Sequence, residues 1–469
     1  MCSPSSNVAK IAESSTLRLS VFVQGRLAAH LFRERDQYVL QYASGVAPAD
    51  FVSLTMPVQA SPWLWPRDLH PFFRQNLPEG YLLSILREVL GSALDGTDLS
   101  LLAVVGRSGI GRVTVIPAQM QNRAPEEPLD VQALLHEDFS PKYFDDLVRR
   151  YARSAVSGVV PKFLSPQTPE EPLETGRAIL RTARYLVKGS SNLPYLAFNE
   201  HHTLRVLARL NKVPVVQTQL SDDGQVLLVE RFDVDAQGVP THGLEDACSL
   251  LGLPPHEKYA PSMERVLKAA EAYLPDATRQ AQLEQLGYHL LTNFVIRNAD
   301  CHSKNIALYY TNLDNVAFTP VYDLVTTQAY DGFRDSTPGL SIEGRKSWNA
   351  GKSLLHFFTS RLGLSSRQYS LMLEELCDSA VEVARELTEL ASTEARWSNI
   401  IKNMLYAWDR GIQDMRNTNS TVSLAPVIKK AGFSEYDKPA PAPRTGESPL
   451  LAKRRSSPRV RKRKGESRT

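Results

Sequence analysis

The sequence predicts an α+β chain with two lobes and a β-rich unit in front of them. Three observations carry this reading. Apolar and polar residues alternate in short runs through residues 16–60. Between about 177 and 233, strand-like runs enclose a single helix. After Asp233 the apolar spacing changes to three and four. At 469 residues, 42% hydrophobic and 22% charged, the chain is long enough for several packed units and has an ordinary globular composition.

The first unit spans 16–125. TLRLSVFVQGRLAAHLF and QYVLQYA read as antiparallel strands broken by turns, EGYLLSILREVL (79–90) as a helix, and LLAVVGRSGIGRVTVIP (101–117) as strand with glycine turns. In the second unit, 140–235, AILRTARYLVKG, VVQTQL and QVLLVERFD read as strands. Between them a helix is expected from about Glu200 to Leu210, with Leu204, Leu207 and Ala208 on one face and Asn199 as its N-cap. LSPQTPEEPLETG (164–176) reads as a turn-rich insertion. The third unit, 236–430, is expected to be helical: GLEDACSLLGL, PSMERVLKAAEAYL, and QLEQLGYHLLTNFVIRN with Leu283, Leu286, Leu290 and Phe294 on a buried stripe.

Residues 439–469 carry ten Lys or Arg against Glu447 and Glu466, a net +8, so that of the total +3 the other 438 residues hold −5. This tail has no aromatic residue, reads as disordered, and is the one segment expected to attract nucleic acid. No apolar run reaches membrane-spanning length, so no membrane partner is expected. The start, MCSPSSNVAKIAESS, lacks the apolar core of a secretory signal. Cys2, Cys248, Cys301 and Cys377 form no clustered pair. These features together predict a cytoplasmic protein. His201 and His202 read as surface residues, with no third ligand at metal spacing.

Chemistry concentrates in NFVIRNADCHSKNIALYYTNLDNVAFTPVYDLVTT (293–327). Asp300, His302 and Asn305 form D-x-H-x-x-N after a long helix, and a hairpin returns the chain to Asp323. Phosphoryl transfer needs a carboxylate to accept a hydroxyl proton and hard oxygens to hold Mg²⁺. Asp300 suits the first role, Asn305 and Asp323 the second. The plainer alternative makes Asp300 and Asn305 caps and Asp323 a loop residue. Upstream, Lys188 stands on a strand and Glu200 on the helix twelve residues later, a pairing that holds phosphates in kinases. Gly158 in RSAVSGVVPKFL is a candidate for covering them, and the backbone of Glu230 and Phe232 in LLVERFD for binding adenine. Strands, one helix, strands and then a helical half make up a two-lobed, kinase-like plan.

Nine segments in order resemble the HipA family of serine/threonine kinase toxins: RDLHPFFRQNLPEG, VVGRSGIGRVTV, SGVVPKFL, YLVKGS, LAFNEHHTLRVLARL, LLVERFD, EDACSLLGLPPHEKY, NADCHSKNIALYY and TPVYDLVTT. The resemblance implies a phosphatidylinositol-kinase-like core with an N-terminal subdomain, and ATP and Mg²⁺ as cofactors. It also implies a helix-turn-helix HipB-like antitoxin that binds operator DNA, and an aminoacyl-tRNA synthetase as protein substrate. Residue by residue, it puts the base on Asp300, metal ligands on Asn305 and Asp323, the ATP lysine on Lys188 and the phosphate loop at Gly158. Glu200, His302 and Lys304 are supporting residues. The family's autophosphorylated loop serine aligns with Ala155, which puts such a switch on Ser157 or Ser154. Two other classes stay open: a small-molecule phosphotransferase, and a catalytically silent DNA-associated regulator.

Overall fold

The structure, a computed structural model, describes residues 17–433 apart from 79, 91–95, 119–130, 132, 137–142, 144–145, 151–176, 191–192, 349–350 and 416–422. The first unit is a five-stranded antiparallel sheet of order β4-β3-β2-β1-β5, built from β1 (Arg18–Val23), β2 (Arg26–Glu34), β3 (Gln37–Tyr42), β4 (Trp63–Pro66) and β5 (Val113–Pro117). Gln24 and Gly25, both at positive φ, make the tight turn from β1 into β2 that the strands' right-handed twist favours. Leu19, Val21, Leu31 and Leu40 point from one face into a core shared with Phe72, Phe73 and Leu102.

Two helices lie between β4 and β5 in the chain: α1 (Gly80–Leu90), whose Ile85 and Leu86 join the core of the second sheet, and α2 (Asp98–Val105), which packs on β5. The second corrects the strand expected at 101–105. Leu99, Leu101, Leu102, Ala103 and Val104 are all buried, so this short run carries no period to separate strand from helix. The deciding signal is Thr97, whose side chain accepts the Ser100 amide at 3.2 Å and caps a helix. Gly106, Gly109 and Gly111 lead into the strand β5, in keeping with their reading as turn glycines.

The second sheet, order β6-β7-β9-β8, uses β6 (Arg177–Arg181), β7 (Tyr185–Ser190), β8 (Thr218–Leu220) and β9 (Val226–Glu230), with α3 (Leu196–Ala208) packed on it. This helix starts four residues earlier than expected, and its N-cap is Tyr195 at φ 57°. Asn199 is therefore no cap. Fully buried inside α3, it donates to the Thr326 carbonyl at 3.0 Å and accepts the Thr326 amide at 2.9 Å, clamping the helix to the chain beyond Asp323.

The third part joins a sheet of order β10-β11-β12 to a helical body. GLED, read as helical, forms β10 (Gly243–Asp246), because it pairs with β11 (Ala307–Asn312); a one-turn helix, α4 (Ala247–Leu250), follows under the Asp246 cap. The hairpin partner β12 (Asn315–Phe318) stops short of Asp323. Helices α5 (Met263–Glu271), α6 (Arg279–Val295), α7 (Gly351–Ser360), α8 (Ser366–Thr393) and α9 (Ser398–Met415) enclose a core around Trp408, Phe357 and Phe358. The expected stripe of α6 is buried, and so is the rest of the helix from Leu286 to Val295, because α8 and α9 cover its other faces.

No described helix is long and apolar enough to cross a membrane. The segments containing Gly158, Ser154, Ser157 and Ala155, the 164–176 insertion and the basic tail lie outside the described residues.

Candidate active site

β7 delivers Lys188 to the interior between lobes. Its Nζ donates to Glu200 Oε1 at 2.5 Å and to Asp323 Oδ1 at 3.0 Å, and it is 6% exposed. The strand–helix pair expected from the sequence is thus formed, and Asp323 joins it from 135 residues away. Glu200 lies within α3 instead of opening it, at 1% exposure, so its charge is matched directly by the lysine.

Asp323 Oδ2 accepts from Asn305 Nδ2 at 2.6 Å. The hairpin brings these two together as expected, and the route is local: Asn305 ends the loop before β11, and β12 returns the chain to Tyr322, whose hydroxyl donates to the Lys304 carbonyl at 2.8 Å. Asp323 has φ 59°, a left-handed conformation that aspartate tolerates better than most residues. The next turns are held by Asn199 and by Trp408, whose Nε1 donates to Thr326 Oγ1 at 2.6 Å. Sequence reasoning missed both residues. In the sequence Asn199 reads as a cap, and nothing in the pattern around Trp408 links it to residue 326.

Asp300 sits in the loop between α6 and β11. Its amide donates to Asn298 Oδ1 at 3.0 Å, the Ala299 amide to Thr327 Oγ1 at 2.8 Å, and Asn298 Nδ2 to the Asp323 carbonyl at 3.4 Å. The loop carrying Asp300 and the turn carrying Asp323 are thereby fastened to each other. Tyr259 donates its hydroxyl to Asp300 Oδ1. His302 is buried with its ring edge-on to Tyr259 at 5.0 Å, and burial holds its pKa well below the ordinary value, so it packs there as a neutral ring. Lys304 lies half-buried on the same loop. Burial first, and then the charges of Asp300 and Asp323, push the Cys301 thiol up to about 12, which leaves it unreactive.

At the junction between lobes, the Glu230 amide donates to the Gln217 carbonyl at 2.9 Å, which commits that amide within the chain. Phe232 lies against Tyr309 and stacks on Tyr322 at 6.2 Å, which sets this junction beside Asp323. His201 and His202 are not surface residues. His201 is half-buried against β8, its Nδ1 2.9 Å from Thr218 Oγ1, and His202 is buried against Phe198; burial lowers them to about 4 and about 2.

Whether these residues suit a hard cation is tested by Asn305. Its side-chain oxygen is buried and has no hydrogen-bond partner, while its amide nitrogen is committed to Asp323. A neutral oxygen beside a carboxylate is the donor set that Mg²⁺ takes together with phosphate oxygens. Among the described residues no group of three or more His, Cys, Asp or Glu is placed to hold a metal unaided.

Comparison with known proteins bears on this arrangement. The chain matches the HipA-like C-terminal domain over residues 154–384 and the HipA N-terminal domain over residues 19–116. It is 26% identical over 303 residues to "Putative kinase Y4mE" of Sinorhizobium fredii, covering 60% of this chain and 69% of that one. To "Putative kinase Y4dM" of the same organism it is 27% identical over 281 residues, covering 55% of this chain and 63% of the relative, just under two thirds of its length. A chain of the Shewanella oneidensis MR-1 toxin–antitoxin complex of HipA, HipB and operator DNA superposes with a TM-score of 0.62 at 19% identity, over 85% of this chain and all of that one. At that identity the likeness is one of fold, and the fold is kinase-like.

Proposed function

The chain belongs to the HipA family, and from that premise we propose that it is an ATP-dependent protein serine/threonine kinase acting as the toxin of a type II toxin–antitoxin pair. The observation that carries the reading is the buried set Lys188, Glu200, Asp323 and Asn305, one cation held between two carboxylates with an amide on the second. A structural ion pair needs one carboxylate; with a second, Lys188, Glu200 and Asp323 sum to −1, an excess that a cation arriving with the phosphates would offset while Lys188 reaches a phosphate oxygen.

In this reading adenine lies against the Glu230–Phe232 junction and the phosphates extend toward Lys188, which Glu200 keeps aimed. The segment around Gly158 covers the phosphates. Asp300 accepts the proton of a serine or threonine hydroxyl as its oxygen attacks the γ-phosphorus and the bond to ADP breaks. Asn305 and Asp323 would hold Mg²⁺, which when bound offsets the negative charge of the phosphates. The substrate inferred is an aminoacyl-tRNA synthetase, whose modification halts translation. The partner inferred is a HipB-like helix-turn-helix antitoxin that links the kinase to operator DNA, with Ser157 or Ser154 as self-phosphorylation sites and the basic tail as a further contact for nucleic acid.

Radiolabelled ATP added with the protein to a lysate of the source cells tests this. Transfer to a protein band, identified by mass spectrometry, is expected. Label appearing only on a small hydroxyl compound would replace the reading with a small-molecule phosphotransferase, and no transfer at all would leave a silent regulator.

A further inference from the structure

The segment Pro254–Tyr259 has no part in the reading above, yet it is fastened to the loop that carries Asp300. Ser303 donates both its amide, at 3.1 Å, and its hydroxyl, at 2.9 Å, to the Lys258 carbonyl. The next carbonyl, that of Tyr259, accepts from Lys346 Nζ at 3.1 Å, and the same ammonium donates to the Gly339 carbonyl at 2.7 Å. Gly339 lies so close to the loop that a Cβ there would stand 2.4 Å from the Cys301 carbonyl oxygen. The main chain of Tyr259 is thus tied to the loop at 303 on one side and to the strap at 339–346 on the other, and its ring is braced against His302.

From this fixed frame the Tyr259 side chain ends on Asp300 Oδ1. We infer that Tyr259 is a positioning residue for Asp300, its hydroxyl holding Oδ1 and so fixing the direction in which the carboxylate meets the attacking hydroxyl. The inference rests on the reading of Asp300 as base. A carboxylate at a loop tip has two rotatable bonds, and a misaimed base loses rate without losing substrate. A donor on one oxygen removes that freedom and favours the ionised form that accepts a proton. A phenol suits the task because its ring packs on His302 while its hydroxyl reaches a half-buried carboxylate.

The test compares wild type, Tyr259→Phe, Asp300→Asn and the double variant, with whole lysate as acceptor and radiolabelled ATP. Tyr259→Phe keeps the ring and is expected to lower kcat about ten-fold, the size of one hydrogen bond to a charged group, while KM for ATP, ATP affinity by calorimetry and Tm stay as in wild type. Added to Asp300→Asn, it is expected to lower the residual rate no further, since the interaction is already gone. Tyr259→Leu should lose Tm as well as kcat, because it removes the ring from His302. An unchanged kcat in Tyr259→Phe beside an inactive Asp300→Asn would overturn this inference and leave the base in place. A raised KM with unchanged kcat would make Tyr259 a substrate contact instead. Full activity in Asp300→Asn, or no labelling by wild type, would overturn the reading of Asp300 and this inference with it.

Discussion

Glu245 and Glu200 are both fully buried carboxylates in a contact between units of the chain, and they are accommodated in opposite ways. Glu245, on β10, accepts from the Ser53 hydroxyl at 2.9 Å, the Leu54 amide at 3.0 Å and the Ser249 hydroxyl at 2.9 Å. All three donors are neutral, and burial pushes the carboxyl up to about 7 despite them. Glu200 has a cation instead, Lys188, which it shares with Asp323. The first arrangement fits a joint. It docks the N-terminal sheet on β10, beside Arg112, which donates to the Thr311 carbonyl at 2.7 Å, and the Gly111 amide, which donates to Asp233 at 2.7 Å. The second arrangement sets one lysine against two carboxylates where two lobes meet, a net −1 that suits a polyanionic substrate only when a cation comes with it.

The contrast breaks most sharply at the reacting end. Asp300→Ala and Asp323→Ala should each lower phosphate transfer by at least about 10²-fold while the protein stays folded, as measured by incorporation of label and by thermal melting. Wild-type transfer in either variant would reduce the second cluster to another structural joint.

Lys188→Ala comes next and acts twice. Loss of the cation should weaken ATP binding in calorimetry. Because Glu200 is 1% exposed, it should also leave a buried charge unmatched, costing roughly 3–5 kcal/mol in denaturant unfolding. Lys188→Ala combined with Glu200→Gln should recover most of the stability and none of the ATP affinity.

At the joint the expected effects are smaller and leave catalysis alone. Glu245 keeps its proton in the folded chain up to about pH 7, whereas the unfolded chain loses it near 4.5. Its contribution to stability is therefore fully present below about 4.5, declines as pH rises to about 7 and is flat above. Tm scans across this window should show that decline, and Glu245→Gln should flatten it without altering ATP affinity. Ser53→Ala, which removes one donor from Glu245, should cost about 1 kcal/mol. If Ser53→Ala instead abolished phosphate transfer, the joint would be part of the catalytic apparatus and the two clusters would not be separate.

Strand alternation, the spacing of α6 and the hairpin that brings Asn305 to Asp323 were all legible along the chain. Each depends on neighbours within some twenty residues, the range over which periodicity and turn residues act. Pattern failed where a run was apolar throughout, as at Leu101–Val105, and where a polar residue had a distant partner, as at Asn199. The sequence by itself determined the order of sheet, single helix, sheet and helical body, and it set Asn305 and Asp323 on one hairpin. Tertiary structure alone decided that Lys188 is shared with a carboxylate 135 residues away, that Tyr259 lies on Asp300 across 41 residues, and that Ser53 meets Glu245 across 192. A buried charge or hydroxyl must find a partner wherever the chain crosses itself, and that crossing is set by the packing of the whole core, which no local period records.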